Sequence, residues 1–181
     1  MRVLVACEFS GVIRDAFAAR GHRAYSCDTL PSEAPGRHYE GDVRDILSYG
    51  WDLMIAHPPC TYLATSGARW FPDRRPEQKA ALEFVRTLMF SSIAKIAIEN
   101  PVSIISTVIR KPDQVIQPWQ YGHAENKKTC LWLKGLPLLE PTCLMDAPRS
   151  SILMEPGAKN QAKNRSRTCQ GIADAMAAQW G

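Results

Sequence analysis

Short apolar runs alternate with amphipathic stretches through the first half of the chain. "RVLVAC" is continuously apolar, as a strand covered on both faces is. "GVIRDAFAARG" follows, placing Val12, Ile13, Ala16 and Phe17 on one helical face, with Gly21 as the stop. "HRAYSCD", "DLMIAH" and "KIAIEN" read as further strands. Between the last two lies "PEQKAALEFVRTLMFSS", a helix that a proline opens and whose first turn carries Glu77 and Gln78. Strand–helix–strand alternation of this kind predicts an α/β fold, a mostly parallel sheet flanked by helices.

The second half is less regular. "VSIISTVI" fits a helix or an extended piece, "TCLWL" a strand and "GIADAMAAQW" a closing helix. The segment from Pro137 to Arg167 is rich in Pro, Lys, Arg and Asn and reads as loop. No internal repeat or low-complexity tract interrupts the pattern. The length of 181 residues suits one domain with a real core, so residues 1–181 are expected to form a single domain.

Composition narrows the class. The chain is 45% hydrophobic and 22% charged, ordinary for a globular protein, and its formal charge of +4 is compatible with an anionic partner without requiring one. The start, "MRVLVACEFSG", is too short an apolar run for a secretory signal, and no stretch is long enough to span a bilayer. The six cysteines are irregularly spaced with no CxxC pair, so reduced thiols, a cytoplasmic location and no membrane partner are expected. His57 and Cys60 lie close together, but no second pair with zinc spacing follows, and no metal site is expected.

In open α/β sheets, ligands bind beyond the carboxyl ends of the strands. Those ends here are Glu8-Phe9-Ser10-Gly11, Asp28, Gly41-Asp42, His57-Pro58-Pro59-Cys60 and Glu99-Asn100-Pro101. Acids, a thiol and a glycine turn converge on one edge. Taken singly, Asp28 and Asp42 read as helix caps or solvated loop residues, and a lone cysteine as a small buried hydrophobe. Glu99 is different, because a carboxyl ending a buried strand is seldom idle. Cys60 follows two prolines that stop a strand, since proline has no N–H for the ladder. Gly11 and Asp28 are spaced as in a dinucleotide site, but "EFSGVIRDAF" lacks the second and third glycines that let a backbone approach a pyrophosphate. An adenosine without a pyrophosphate suits the turn better, with one acid for the ribose hydroxyls and a second near the adenine.

"EFSGVIRDAFAARGH", "SCDTLP", "GDVRDI", "HPPCTYLA" and "IENP" occur in the order of the DNA cytosine-5 methyltransferase motifs, and the chain resembles the short, phage-type members of that family. "ENKKTCLWL" resembles the basic strand that touches the target base, and "RSRTCQGIADAMAAQW" the closing helix. The resemblance implies a Rossmann-like S-adenosylmethionine-dependent methyltransferase fold in the cytoplasm of a bacterium or a phage-infected host. It implies DNA as partner, with a flipped-out cytosine. Cys60 would add to ring carbon C6, making C5 nucleophilic enough to take the methyl group. Glu99, buried with a raised pKa, would supply a proton or hydrogen bond at N3. Phe9, Ser10, Gly11, Asp28, Asp42, Val43 and Pro58 would hold S-adenosylmethionine: Asp28 on the ribose, Asp42 on the adenine amine, and Phe9 packed on the adenine or the methionine part. Asn100, Arg69, Lys127, Lys128, Arg165 and Arg167 would contact the substrate. His57, Arg69 and Lys127 are candidates for lowering the Cys60 pKa. "TYLATSGARWFPDRRPEQ" would close over the target, with Arg69, Arg74 and Arg75 on phosphates and Trp70 stacking or filling the space left by the base.

Two departures from the family stand out. Val12 and Arg14 occupy places where glycines usually follow "FSG". Residues 139–164 form a short loop region where most members carry a target-recognition domain. With Lys159, Lys163, Arg165 and Arg167 it would hold the DNA backbone without reading sequence, so a short or relaxed sequence preference is expected. Competing readings keep the chemistry on a free cytidine nucleotide or single-stranded DNA, move the methyl to an exocyclic amine, or leave a catalytically silent nucleic-acid-binding module. The amine reading is disfavoured by Cys60 and His57, which replace that class's aromatic and accepting residue. A cysteine hydrolase is disfavoured because His57 shares a turn with the thiol. Oligomeric state and target sequence are left open.

Overall fold

The structure, a computed structural model, describes residues 1–147 and 167–181. A seven-stranded sheet organises it, in the order β3-β2-β1-β4-β5-β7-β6. The strands are β1 (Arg2–Ala6), β2 (Arg23–Asp28), β3 (His38–Glu40), β4 (Leu53–Ala56), β5 (Lys95–Pro101), β6 (Gln114–Ile116) and β7 (Thr129–Lys134). Strands β1 to β5 pair in parallel, whereas β7 runs antiparallel to both β5 and β6. The helices are α1 (Val12–Ala19), α2 (Arg75–Met89), α3 (Ile105–Val108) and α4 (Gln170–Trp180). The fold is α/β with a mostly parallel sheet, as the hydrophobic pattern predicts, and its strand order is Rossmann-like, as the resemblance implies.

Alternation along β1 shows how the sheet divides the core. Val3 and Val5 face a layer built from Ile13 and Phe17 of α1 and Ile172, Met176 and Trp180 of α4. Leu4 and Ala6 face the other layer, with Leu82, Val85, Leu88 and Met89 of α2 and Ile105 of α3. Burying both faces explains why β1 after Arg2, and the whole of β4, carry no polar residue: all of these positions are buried. "VSIISTVI" yields only the single-turn α3. The three-residue β6, held by β7, escapes the pattern because "QVI" is too short to show a period.

Sequential strands go β1-β2-β3 one way and β1-β4-β5 the other, so the order reverses between β1 and β4. A crevice is expected at the carboxyl ends there. Glu8 follows β1, His57 follows β4, and Glu99 lies near the end of β5. Among the described residues, no helix is long and apolar enough to cross a membrane.

Candidate active site

The β1 end turns sharply. Cys7 takes a left-handed φ of 59°, uncommon for a residue with a side chain, and Gly11 takes φ 78° at the start of α1. The turn wraps around Glu8, which is buried. Its carboxylate accepts from the backbone N–H of Ile13 at 2.8 Å and of Arg14 at 3.3 Å, so it does the work that a capping side chain normally does. Burial pushes the Glu8 pKa up, and the Ile13 and Arg14 N–H groups and the His57 and Arg14 charges offset this only in part.

Arg14 stands where the family resemblance would place a glycine, and the structure gives a reason. Its side chain is fully buried. It donates to Ser26 Oγ and Ser32 Oγ at 3.1 Å and to the carbonyls of Ala34 and Pro35 at 3.3 and 2.9 Å, and it pairs with Asp15 at 2.7 Å. A Cβ on Gly11 or Gly36 would sit 2.5 or 2.6 Å from the guanidinium. The glycines serve the arginine, which ties α1 to the loop after β2.

A cavity of about 130 Å³ opens beside this turn, lined by Cys7, Cys27, Asp28, Thr29, Gly41, Asp42, Val43, Pro59 and Phe84. It brings Asp28, Asp42 and Val43 together as the sequence predicts. Phe9, Ser10 and Gly11 belong to the neighbouring turn instead of its lining, and Pro59, not the buried Pro58, forms its wall. Both acids also have local work. Asp28 Oδ1 accepts from Leu30 N at 3.0 Å. Asp42 accepts from Arg44 N at 2.9 Å and is paired with the Arg44 side chain, which holds its pKa below the usual carboxylate range. Burial, with the nearby Asp28 and Asp42 charges, drives the Cys7 thiol well up and pushes Cys27 up to about 12. Both thiols are therefore protonated walls of the cavity.

At the ends of β4 and β5 the register is Ala56↔Ile98, so His57 and Glu99 come next to each other. His57 Nδ1 lies 3.0 Å from Glu99 Oε2. Asn100 Nδ2 donates to the Pro58 carbonyl at 2.7 Å. The residues that carry "HPPC" are thus clamped to those that carry "ENP". Past the prolines, the Cys60 carbonyl accepts from Leu63 N at 3.0 Å and Ala64 N at 2.9 Å, making a tight turn with Leu63 buried beneath it. Thr65 N and Ile104 N then bond across to Val102 O and Leu63 O, both at 3.0 Å, so the segment after Cys60 is stitched to the segment after Asn100. Cys60 is exposed and has no disulfide.

Glu99 departs from the expected raised pKa. Burial does push it up, but the His57 hydrogen bond and the His57 and Lys127 charges together outweigh burial, and the net direction is down. His57, one of three candidates for lowering the Cys60 pKa, bonds Glu99. Its neighbourhood contains buried polar atoms without a hydrogen-bond partner among the described residues: His57 Nε2, Asn100 Oδ1 and Ser103 Oγ. Such atoms are costly unless something completes them.

The expected substrate contacts are scattered. Arg69 is exposed and lies over the Trp70 ring at 4.9 Å, and Arg74 lies over Tyr62 at 5.7 Å, both in the segment after Cys60. Lys127 is half-buried near enough to Glu99 to act on its charge, and Lys128 is exposed. Arg167 donates to both Glu33 oxygens at 2.8–3.0 Å. Arg165, with Lys159 and Lys163, lies outside the described residues. Among the described residues, no cluster of three or more metal-ligating side chains occurs.

No family model matches the chain, and no curated protein does. Among solved structures, it is similar to a crystal structure from E. coli described as that of a candidate DNA modification methyltransferase encoded within a prophage. The identity is 12% and the TM-score 0.49, over 80% of this chain and 52% of that one. This chain thus spans about half the length of that structure, and no residue role is taken from it.

Proposed function

We propose that this protein is an S-adenosylmethionine-dependent DNA methyltransferase that modifies cytosine at C5 through a covalent bond from Cys60 to C6. The observation that carries the reading is the clamp between the two strand ends. The Asn100–Pro58 and Glu99–His57 bonds tie the strand end that leads into the cysteine turn to a half-buried carboxylate and its neighbour. A nucleophile and a ring-contacting acid on adjacent rigid strands are what addition to a pyrimidine requires.

The cavity fits part of the cofactor. Asp28 and Asp42 offer carboxylates to hydroxyl and amine hydrogens, while Val43, Pro59 and Phe84 supply apolar walls for a purine. At about 130 Å³ it has room for the nucleoside end only, leaving the rest to lie along the crevice toward Phe9 and Ser10. When bound, the cofactor supplies an electrophilic methyl on sulfur. The chain's own residues do the remainder. The Cys60 thiolate forms the bond to C6, and Glu99 meets N3 as electrons move into the ring. Loss of the C5 proton after transfer lets the C6–S bond break and the thiolate leave. Arg69 with Trp70 and Arg74 with Tyr62 pair charge with an aromatic face, a combination suited to backbone phosphate and an unstacked base.

The test is covalent trapping. The protein and Cys60→Ser are incubated with 5-fluorocytosine-containing duplex or single-stranded DNA and S-adenosylmethionine, then denatured. An adduct with the unaltered protein and none with the variant is expected, and the DNA form that traps better identifies the substrate. Cofactor binding without any adduct would overturn the reading in favour of a free nucleotide, an amine target or a silent binder.

A further inference from the structure

The imidazole of His57 stands between two carboxyls that end neighbouring strands. On one side is Glu99, bonded from Nδ1 at 3.0 Å. On the other is Glu8, close enough for the imidazole charge to act on it. The His57 side chain is only 10% exposed, and its Nε2 is buried without a partner among the described residues. A polar atom in that state is left waiting for a group that is absent from the chain itself. The bond from His57 goes to Glu99 Oε2.

We propose that His57 is the positioning residue for Glu99, donating from Nδ1 to Oε2 so that Oε1 is left to meet the substrate ring. This rests on the methylation reading above.

With Glu99 ionised, a carboxylate only accepts, so Nδ1 carries the hydrogen of the bond. The hydrogen that Glu99 would donate to the ring must sit on Oε1, the oxygen His57 leaves open. It is taken up from solvent as the ring approaches, because displacing water from Glu99 raises the cost of its charge. His57 keeps its own hydrogen on the Oε2 bond throughout, so the carboxyl changes its protonation without losing its orientation. The other titratable groups facing the pair are Glu8 beyond β1, Lys127 and Cys130 at the start of β7, and Cys169 before α4. Lys127 favours the ionised form of Glu99. The hydrogen bond that fixes Oε2 is that of the imidazole.

Two substitutions separate positioning from titration. His57→Asn keeps a donor near the Nδ1 position but has no ionisable proton, and His57→Ala keeps neither. The Glu99 carboxyl is followed by carbon-13 NMR in the unaltered protein and both variants, with Glu99→Gln assigning the signal. Methyl transfer to DNA is measured against pH on the same proteins. The Glu99 midpoint is expected to rise in both variants, further in His57→Ala. His57→Ala should lower kcat roughly 100-fold with KM little changed, the cost of a misplaced group. His57→Asn should recover part of that kcat, and in both variants the pH profile should follow the Glu99 midpoint upward. An unmoved Glu99 midpoint in a protein that forms the cytosine adduct would overturn the role of His57. So would His57→Ala with the full kcat and pH profile of the unaltered protein. A midpoint that rises in a protein forming no adduct would overturn the methylation reading instead, leaving the pair coupled.

Discussion

The two halves of the sheet's carboxyl edge are built on opposite plans. Around β1 and β2 the polar side chains are consumed by the fold: Glu8 caps α1, Arg14 saturates the loop after β2, and Asp42 caps the turn at Val43–Asp45. Around β4 and β5 they are left incomplete, with Nε2 of His57, Oδ1 of Asn100 and Oγ of Ser103 unsatisfied among the described residues. The carboxyls mirror this. Glu8 is pushed up by burial, while Glu99 is pulled down chiefly by His57 against its own burial. The first half is a mount whose hydrogen bonds are spent on shape, and the second keeps its bonding capacity for a visitor. Carboxyls whose environments drive their pKa values apart are a common mark of divided labour in a site.

Arg14→Met should break the comparison most visibly. It removes the bonds of a buried guanidinium to Ser26, Ser32, Ala34, Pro35 and Asp15, and should cost about 3 kcal/mol of stability, read by urea denaturation. If Glu99→Gln cost as much at neutral pH, the distinction between mount and site would fail.

Next in size is the response to acid. Glu99 has a lowered folded pKa, so its contribution is complete above its unfolded pKa and lost as pH falls through the folded one. Glu8 has a raised folded pKa, so its contribution is complete below its unfolded pKa and lost as pH rises through the folded one. Stability measured across the acidic range should therefore lose a rising limb in Glu99→Gln and a falling limb in Glu8→Gln. Equal changes of one sign in both variants would show that the two carboxyls share one environment.

The smallest effect is expected for Asp42→Asn. Its partner Arg44 is well exposed, so stability should move by less than about 0.5 kcal/mol. Equilibrium dialysis with labelled S-adenosylmethionine should nonetheless show weaker binding. Unchanged binding would reduce Asp42 to the helix cap that its position also suggests.

Much of the frame was legible because it rests on runs that repeat. "RVLVAC", "DLMIAH" and "KIAIEN" are strands, and the pairing of β4 with β5 follows from them. The nearness of His57 to Glu99 could also have been read, since both stand one place past paired residues. It was missed because His57 was considered only with the cysteine on its own turn. Arg14 was legible as a departure, not as a buried anchor, since nothing local shows that Ser26, Ser32 and Gly36 gather around it. Cys7 and Phe84 at the cavity wall depend on packing between distant segments, which no spacing rule encodes. The direction of the Glu99 pKa turns on that same neighbour: burial alone raises it, and His57, once the β4–β5 register sets it beside Glu99, outweighs burial.

The helix α4 carries a consequence for synthesis. Trp180 is almost wholly buried, its indole N–H donates to the Pro137 carbonyl at 3.1 Å, and Met176 and Ala173 close the layer that Val3 opens. The last described element to leave the ribosome therefore covers the first described one. Until then α1 presents a greasy face to the cell, open to chaperones and proteases. A premature stop just before α4 should be read by the quality-control machinery as a misfolded chain, although every described strand has already been translated.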